Sequence, residues 1–149
     1  MEYDELKLSN QLCFKIYSAS KAMTRLYKPI LDKLVLTYPQ YLVMLILWEH
    51  EKISFKDMSN NLKMKTGTLT PIINNLESQR QLCRIKDEKD DRKVFIQITI
   101  KGKELQNEAL NVPYEIGCRA QFTTEEYLKY MKEFDELLKK LDEVENYRY

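Results

Sequence analysis

Glycine and proline are scarce in this chain, three and four among 149 residues. That leaves little material for turns and, with abundant Leu, Lys and Glu, points to a mostly helical protein. Cysteine is as rare: three, far apart, make neither a disulfide framework nor a metal site, and a single His completes no chelating cluster. No metal and no cofactor is therefore expected, and a reducing, cytoplasmic location is the default. No apolar run reaches the length of a membrane span, and the opening Met1-Glu-Tyr-Asp-Glu is too acidic for a secretion signal, so no membrane role is expected. Nor is charge of one sign in excess. The formal net charge of +1 argues against a generic polyanion binder. The length suits one domain with a proper core, or one module plus dimerisation helices.

What charge there is has been distributed unevenly. Residues 60–101 hold nine Lys/Arg against five Asp/Glu, a net of about +4; residues 102–149 hold seven against eleven, about −4. The basic segment contains Lys65-Thr-Gly-Thr-Leu-Thr-Pro-Ile-Ile-Asn-Asn-Leu76. Leu69, Ile72, Ile73 and Leu76 recur at i, i+3, i+4 and i+7, which is one apolar stripe on a helix. The other face carries Thr66, Thr68, Thr70, Asn74 and Asn75, with Lys65 before it. A Thr or Gly is the expected N-cap, and Pro71 belongs in or near the first turn. A start as early as Thr66 forfeits one helical hydrogen bond at Pro71; a start at Thr68 or Thr70 does not. Taken alone, this face reads as solvated surface. Short hydroxyls and amides also allow close approach to a DNA major groove and can bond base edges or phosphates.

The neighbours favour the second reading. Residues 6–28 predict a long first helix, with Pro29 restarting or kinking it before Leu36. Thr37 and Pro39 start a second helix, whose Tyr41–Trp48 stretch is apolar nearly all round and hence buried. Ser54 and Asp57 cap a third, Phe55 to Asn61, which turns its Phe55, Met58 and Leu62 inward. Short helix, turn, polar-faced helix is the order of a helix-turn-helix. Two strands follow, Leu82–Lys86 and the alternating Val94–Ile100, around a charged tip from Asp87 to Lys93. After a helix-turn-helix such a hairpin is a wing, and Arg92 at its tip suits a minor groove where negative potential is focused. Lys101 to about Ala120 is one more helix, interrupted or bent near Pro113. Thr123 and Glu126 then cap a last one, with Tyr127, Met131, Phe134, Leu138 and Leu141 on one face, widened by Leu137, Val144 and Tyr147. That face needs a partner, either residues 6–30 of its own chain or a second copy. The fold class is thus mainly α with a small β-hairpin wing: residues 37–101 a winged helix-turn-helix, residues 1–36 and 102–149 a helical dimerisation region.

This order of elements resembles the MarR family of bacterial repressors. Asp90-Asp91-Arg92, the strand Val94–Thr99 and Lys101-Gly102 match that family's wing and its exit. Cys13 to Lys21, Leu36-Thr-Tyr-Pro-Gln-Tyr-Leu-Val43 and Thr66-Gly-Thr-Leu-Thr-Pro71 are similar to its organic-hydroperoxide-sensing (OhrR-like) branch, and among two-cysteine members to the AbfR type. Two positions depart. Arg80-Gln81 stands where the family has Gly and an apolar residue, and Lys65 replaces an Asp, which should strengthen phosphate attraction.

The resemblance implies that Cys13 is the redox-sensing thiol, stabilised as thiolate by phenols contributed partly by the other subunit: Tyr27 and Tyr38, with Tyr17 one turn beyond Cys13. It implies that Cys118 resolves the sulfenic acid of the partner subunit in a disulfide. From the residues alone Cys13 is a core-facing, inert cysteine. Cys83, at the start of a strand, reads as structural, as does His50, and no hydrolase constellation is present. The expected function is a homodimeric repressor, released from a pseudo-palindromic double-stranded DNA operator by an organic hydroperoxide or other oxidant. Its DNA-binding residues would be Lys65, Thr66, Thr68, Thr70, Asn74 and Asn75 of the helix, and Asp90, Arg92 and Lys93 of the wing. Two alternatives stay open: a repressor sensing a small aromatic ligand, and a thiol peroxidase using Cys13. The lack of an Arg-containing pocket around Cys13 and the presence of a DNA module weigh against the enzyme.

Overall fold

The computed structural model describes residues 3–146, so Tyr147 lies outside the described residues. Two 3-10 turns, Asp4–Leu6 and Leu8–Asn10, precede α1 (Leu12–Leu31). The first helix therefore starts at Leu12 and not near residue 6, because Lys7 and Gln11 are extended and interrupt the helical ladder. Nor does Pro29 break it. An interior proline costs about 3 kcal/mol, while Ile30 and Leu31 beyond it are buried, each contributing roughly 1.5–3 kcal/mol. Burial wins, and α1 runs on to a 3-10 turn, Asp32–Leu34.

Helix α2 (Tyr38–His50) opens on a full capping box. Thr37 Oγ accepts from the Gln40 N–H and Gln40 Oε1 accepts from the Thr37 N–H at 2.9 Å. Its Tyr41, Val43, Met44 and Leu47 are buried, but Leu45 is exposed, so burial is less complete than its composition predicts. A short strand that the pattern did not reveal, β1 (Lys52–Ser54), leads into α3 (Phe55–Leu62), capped by Ser54. Then come α4 (Thr66–Ser78), β2 (Leu82–Lys86) and β3 (Val94–Ile98). The strands form an antiparallel sheet in the order β1-β3-β2, in which Ile96 faces Ile53 on one side and Arg84 on the other. β3 stops short of the expected Ile100 because Thr99 turns to cap α5 (Ile100–Ala109), accepting from the Gly102 N–H. The helix expected up to about Ala120 is interrupted rather than bent, giving α5 and α6 (Val112–Ala120), and Pro113 sits in the first turn of the second piece, where its missing N–H costs nothing. The last helix, α7 (Thr124–Asn146), has the expected capping box between Thr123 and Glu126. The chain forms two compact units, Met1–Pro113 and Tyr114–Tyr149. Among the described residues no single helix is long and apolar enough to cross a membrane.

The core of the first unit gathers the predicted stripe of α4 (Leu69, Ile73 and Leu76, with Ile72 half-buried), Val43, Met44 and Leu47 of α2, Met58 of α3, and Leu82, Ile96 and Ile98 of the sheet. The doubtful turn after α4 is closed. Arg80 takes the left-handed conformation (φ 61°) that a Gly would take more cheaply. The N–H groups of Arg80 and Gln81 bond the carbonyls of Glu77 and Leu76, and Thr99 Oγ donates to the Arg80 carbonyl. Gly102 closes the other side: a Cβ there would lie 2.2 Å from the Gln81 carbonyl oxygen and 2.7 Å from Ile98 Cγ1. Neither backbone nor core can yield cheaply. Gly102→Ala should therefore lower the stability by on the order of 1–3 kcal/mol, read as a shifted urea midpoint at unchanged slope.

Candidate nucleic-acid interface and thiol site

Helix α4 begins at Thr66, earlier than the starts that spare Pro71. The N–H groups of Thr68 and Leu69 both bond the Lys65 carbonyl at 3.0 Å. Pro71 thus lies inside the helix and one hydrogen bond is forgone. The N-cap is Lys65, whose side chain makes no capping bond. Lys65, Thr66, Gly67 and Thr68 are exposed, Thr70 is half-buried, and a Cβ on Gly67 would meet nothing within 4 Å. A helix N-terminus without a side-chain cap, flanked by an ammonium and two hydroxyls, is a place where a phosphate is favoured.

Farther along α4 the two amides are already engaged. Asn74 Oδ1 accepts from Arg84 Nη2 of β2, and Arg84 also pairs with Glu77, Nη1 to Oε1 at 2.8 Å, while its own N–H bonds Glu77 Oε2. This fork ties helix to wing. Since a guanidinium only donates, Asn74 must turn its NH2 outward. Asn75 Oδ1 accepts twice, from Gln40 Nε2 at 2.7 Å and Gln79 Nε2 at 2.8 Å. With both lone pairs used it cannot supply the acceptor half of a bidentate contact to adenine.

At the wing tip Asp90 organises the turn: its carboxylate accepts from the Arg92 N–H at 3.0 Å and lies 3.4 Å from Arg92 Nε. The Arg92 side chain is 93% exposed. Lys93 lies over the Phe95 ring, 5.2 Å from its centre, and Lys52 over the same ring at 4.9 Å. Gln40, Glu77 and Arg84 were not foreseen. The spacing Thr37-x-x-Gln40 is a capping-box pattern that could have marked Gln40; nothing local marks Arg84.

Cys13 is exposed, in the first turn of α1, which corrects the expectation of a core-facing position. A stripe in helical phase implies burial only where a neighbour covers it, and Leu12, Phe14 and Tyr17 are exposed here too. Tyr17 lies one turn on, its hydroxyl accepting from Lys21 Nζ at 3.3 Å. Tyr27 and Tyr38 are together, ring centres 4.8 Å apart, with Tyr41 5.8 Å from Tyr27. Burial pushes the Tyr38 phenol above its ordinary value, and burial followed by the neighbouring Tyr38 does the same to Tyr41, so both stay protonated and able to donate. Cys13 and Tyr27 lie on one straight helix, about 21 Å apart at 1.5 Å per residue. No single chain can bring that pair together. Cys118 is exposed on α6, and the Tyr114 phenol is pushed up first by its hydrogen bond to Cys118, then by charge on that sulfur, and only last by burial. Cys83 is half-buried in β2 opposite Gln97, and His50 is the exposed last residue of α2.

The profile of the transcriptional regulators SarA/Rot matches residues 25–109. Over 112 residues, 75% of this chain and 76% of the relative, the sequence is 46% identical to the organic hydroperoxide resistance transcriptional regulator of Bacillus subtilis. The fold is similar to that of reduced AbfR bound to DNA (TM-score 0.80, 29% identity, 97% of this chain and 99% of that one). It is also similar to the disulfide-formed state of AbfR, a protein of Staphylococcus epidermidis (TM-score 0.61, 31% identity, 98% and 97% covered). Helix-turn-helix, wing and these likenesses agree: the chain belongs to the SarA/Rot family of MarR-type winged-helix transcriptional regulators, which are regulators and not enzymes.

Proposed function

We propose that this regulator is a homodimeric, redox-sensing repressor that leaves its operator when Cys13 is oxidised. The observation that carries the reading is the exposed Cys13 thiol on α1 of a chain so similar to an organic hydroperoxide regulator. Residues 37–101 contact DNA; residues 1–36 and 102–149 join two copies. Because Tyr27 and Cys13 of one chain are a helix length apart, the phenols that stabilise the thiolate come from the second copy, with two α1 helices running antiparallel. The thiolate attacks the terminal peroxide oxygen, which keeps its hydrogen as the sulfenic acid; the O–O bond breaks, and the alkoxide takes up the proton that the thiol released and leaves as the alcohol. The Cys118 thiolate of the partner subunit then attacks that sulfur, an S–S bond forms and water leaves. The disulfide holds two helices of different chains at a short fixed distance. Two recognition helices set roughly 34–36 Å apart for successive major grooves lose that spacing.

Organic hydroperoxide should therefore abolish operator retention in a gel-shift assay, yield a band of dimer mass on a non-reducing gel, and be reversed by dithiothreitol. Operator release with all thiols still titratable would refute the redox reading. It would favour the ligand-sensing one, which has its own support in a groove of about 310 Å³ lined by Tyr41, Leu45, Trp48 and Leu110.

On the DNA side, Arg92→Ala should weaken operator binding, losing charge and a planar donor at the wing tip. Lys65→Ala should lower affinity evenly across sequences and reduce the slope of log affinity against log salt by about one phosphate contact. An Arg92→Ala protein with wild-type operator affinity at moderate salt would remove the wing from the interface.

A further inference from the structure

Gln40 is buried, 7% exposed, and its amide spans two elements 35 residues apart in sequence. Its oxygen accepts the Thr37 N–H at the start of α2, and its Nε2 donates to Asn75 Oδ1 on α4 at 2.7 Å. Each half of the amide has a partner, and neither half can be lost without leaving a buried polar atom unpaired. Asn75, although exposed, is held by this bond and by Gln79, so its remaining NH2 points in one direction only.

We infer that Gln40 is a positioning residue for DNA reading: from the N-terminus of α2 it sets the rotation of α4 and aims the Asn75 NH2. Asn75 is thereby an anchor first, and toward DNA a pure donor, suited to an acceptor such as guanine N7 or O6, thymine O4 or a phosphate oxygen. Of its two bonds, the one to Asn75 reaches α4 and the one from the Thr37 N–H holds the start of α2, so the first is the direct route from Gln40 to the recognition helix. Tyr38 lies two residues before it on α2 and Tyr41 directly after it, both with rings against Tyr27, so the same amide joins the phenol cluster to the recognition helix through one turn of backbone. The inference rests on the reading of α4 as the DNA-contacting helix.

A double-mutant cycle tests it with the full-length reduced protein, operator DNA and a scrambled duplex. Gln40→Met keeps length and apolar bulk but removes the amide; Asn75→Ala removes its acceptor. Each should lower operator affinity roughly tenfold with little change on the scrambled duplex, and the double variant should be no worse than the weaker single one, as for two groups acting through one bond. Thr37→Val, which removes only the hydroxyl half of the capping box, should reduce stability while leaving the operator-to-scrambled ratio unchanged; a merely structural Gln40 would behave in the same way. Additive losses in the cycle, or an operator-to-scrambled ratio that Gln40→Met leaves at the wild-type value, overturn the inference. Lys65→Ala keeps the two failures apart: if it weakens binding to both duplexes while the cycle is additive, α4 still contacts DNA and only the role of Gln40 is lost.

Discussion

Cys13→Ser should bind the operator as wild type does and keep it in the presence of an organic hydroperoxide that releases wild type. A hydroxyl replaces a thiol at an exposed position with no core packing to lose, so neither the fold nor the α4 surface changes. What disappears is the only chemistry that makes oxidation felt at that helix. Allosteric coupling between two sites is commonly worth a factor of 5–150 in affinity, and this whole factor should vanish in the variant. Cys118→Ser should divide the switch in two. It should still form sulfenic acid at Cys13, detectable as a dimedone adduct by mass, and yield no dimer-mass band without reductant. Tyr38→Phe with Tyr27→Phe should slow adduct formation and leave reduced operator affinity nearly as it was, because their rings pack with one another and only the hydroxyls are removed. A Cys13→Ser protein that hydroperoxide still drives off the operator would sink this mechanism and move sensing to Cys83, Cys118 or a bound ligand.

The readability of this chain depends on how local each determinant is. Thr37 with Pro39, and the capping box of Thr123 and Glu126, announce helix starts within four residues, and both starts stand where the sequence placed them. The period of Leu69, Ile73 and Leu76 announces a buried stripe, and these three are fully buried. Starts without such a signal were missed. α1 begins after the extended Gln11, and α4 begins at Thr66 after an N-cap Lys65 with no capping side-chain bond, against the local preference of Pro71. β1 is three residues long and exists because β3 offers an edge to pair with, information that lies 43 residues away, from Ile53 to Ile96. The candidate interface was readable as a list and not as a geometry. Asn74 and Asn75 look alike in the sequence, but one is bound by Arg84 and the other by Gln40 and Gln79, through contacts that no spacing rule reports. Cys13 failed for the opposite reason: periodicity reports that a face is apolar and is silent about which chain covers it.

Removal of residues after Thr123 should convert a dimer into a monomer and abolish operator binding with it. None of the described residues of α7 is buried. Tyr127, Met131, Phe134, Leu138 and Leu141 are 43–51% exposed along a helix of 23 residues, about 35 Å at 1.5 Å per residue. The stripe itself runs about 21 Å, from Tyr127 to Leu141 at 1.5 Å per residue, and a continuous apolar stripe of that extent is more than a monomer normally leaves in water. Each such side chain contributes roughly 1.5–3 kcal/mol when fully covered, so half coverage of five on each of two chains comes to roughly 7.5–15 kcal/mol, of the order of the about 8 kcal/mol of a micromolar association before the cost of ordering. In the first unit Leu6, Leu8, Leu12 and Phe14 are exposed as well, a separate apolar area that a second copy could cover. Phe134→Lys with Leu138→Lys makes the same test in the full-length protein, since exposed positions on α7 can be charged without touching the winged-helix core. It should sediment as a monomer with an unchanged helical spectrum. Operator affinity should then fall by a factor of 10² or more, the loss expected when two linked half-site contacts become independent ones. A doubly charged variant that remained dimeric at micromolar concentration would show that this stripe is not the seam between copies, and the thiol switch, which needs Cys13 and Tyr27 from different chains, would then require another interface to bring them together.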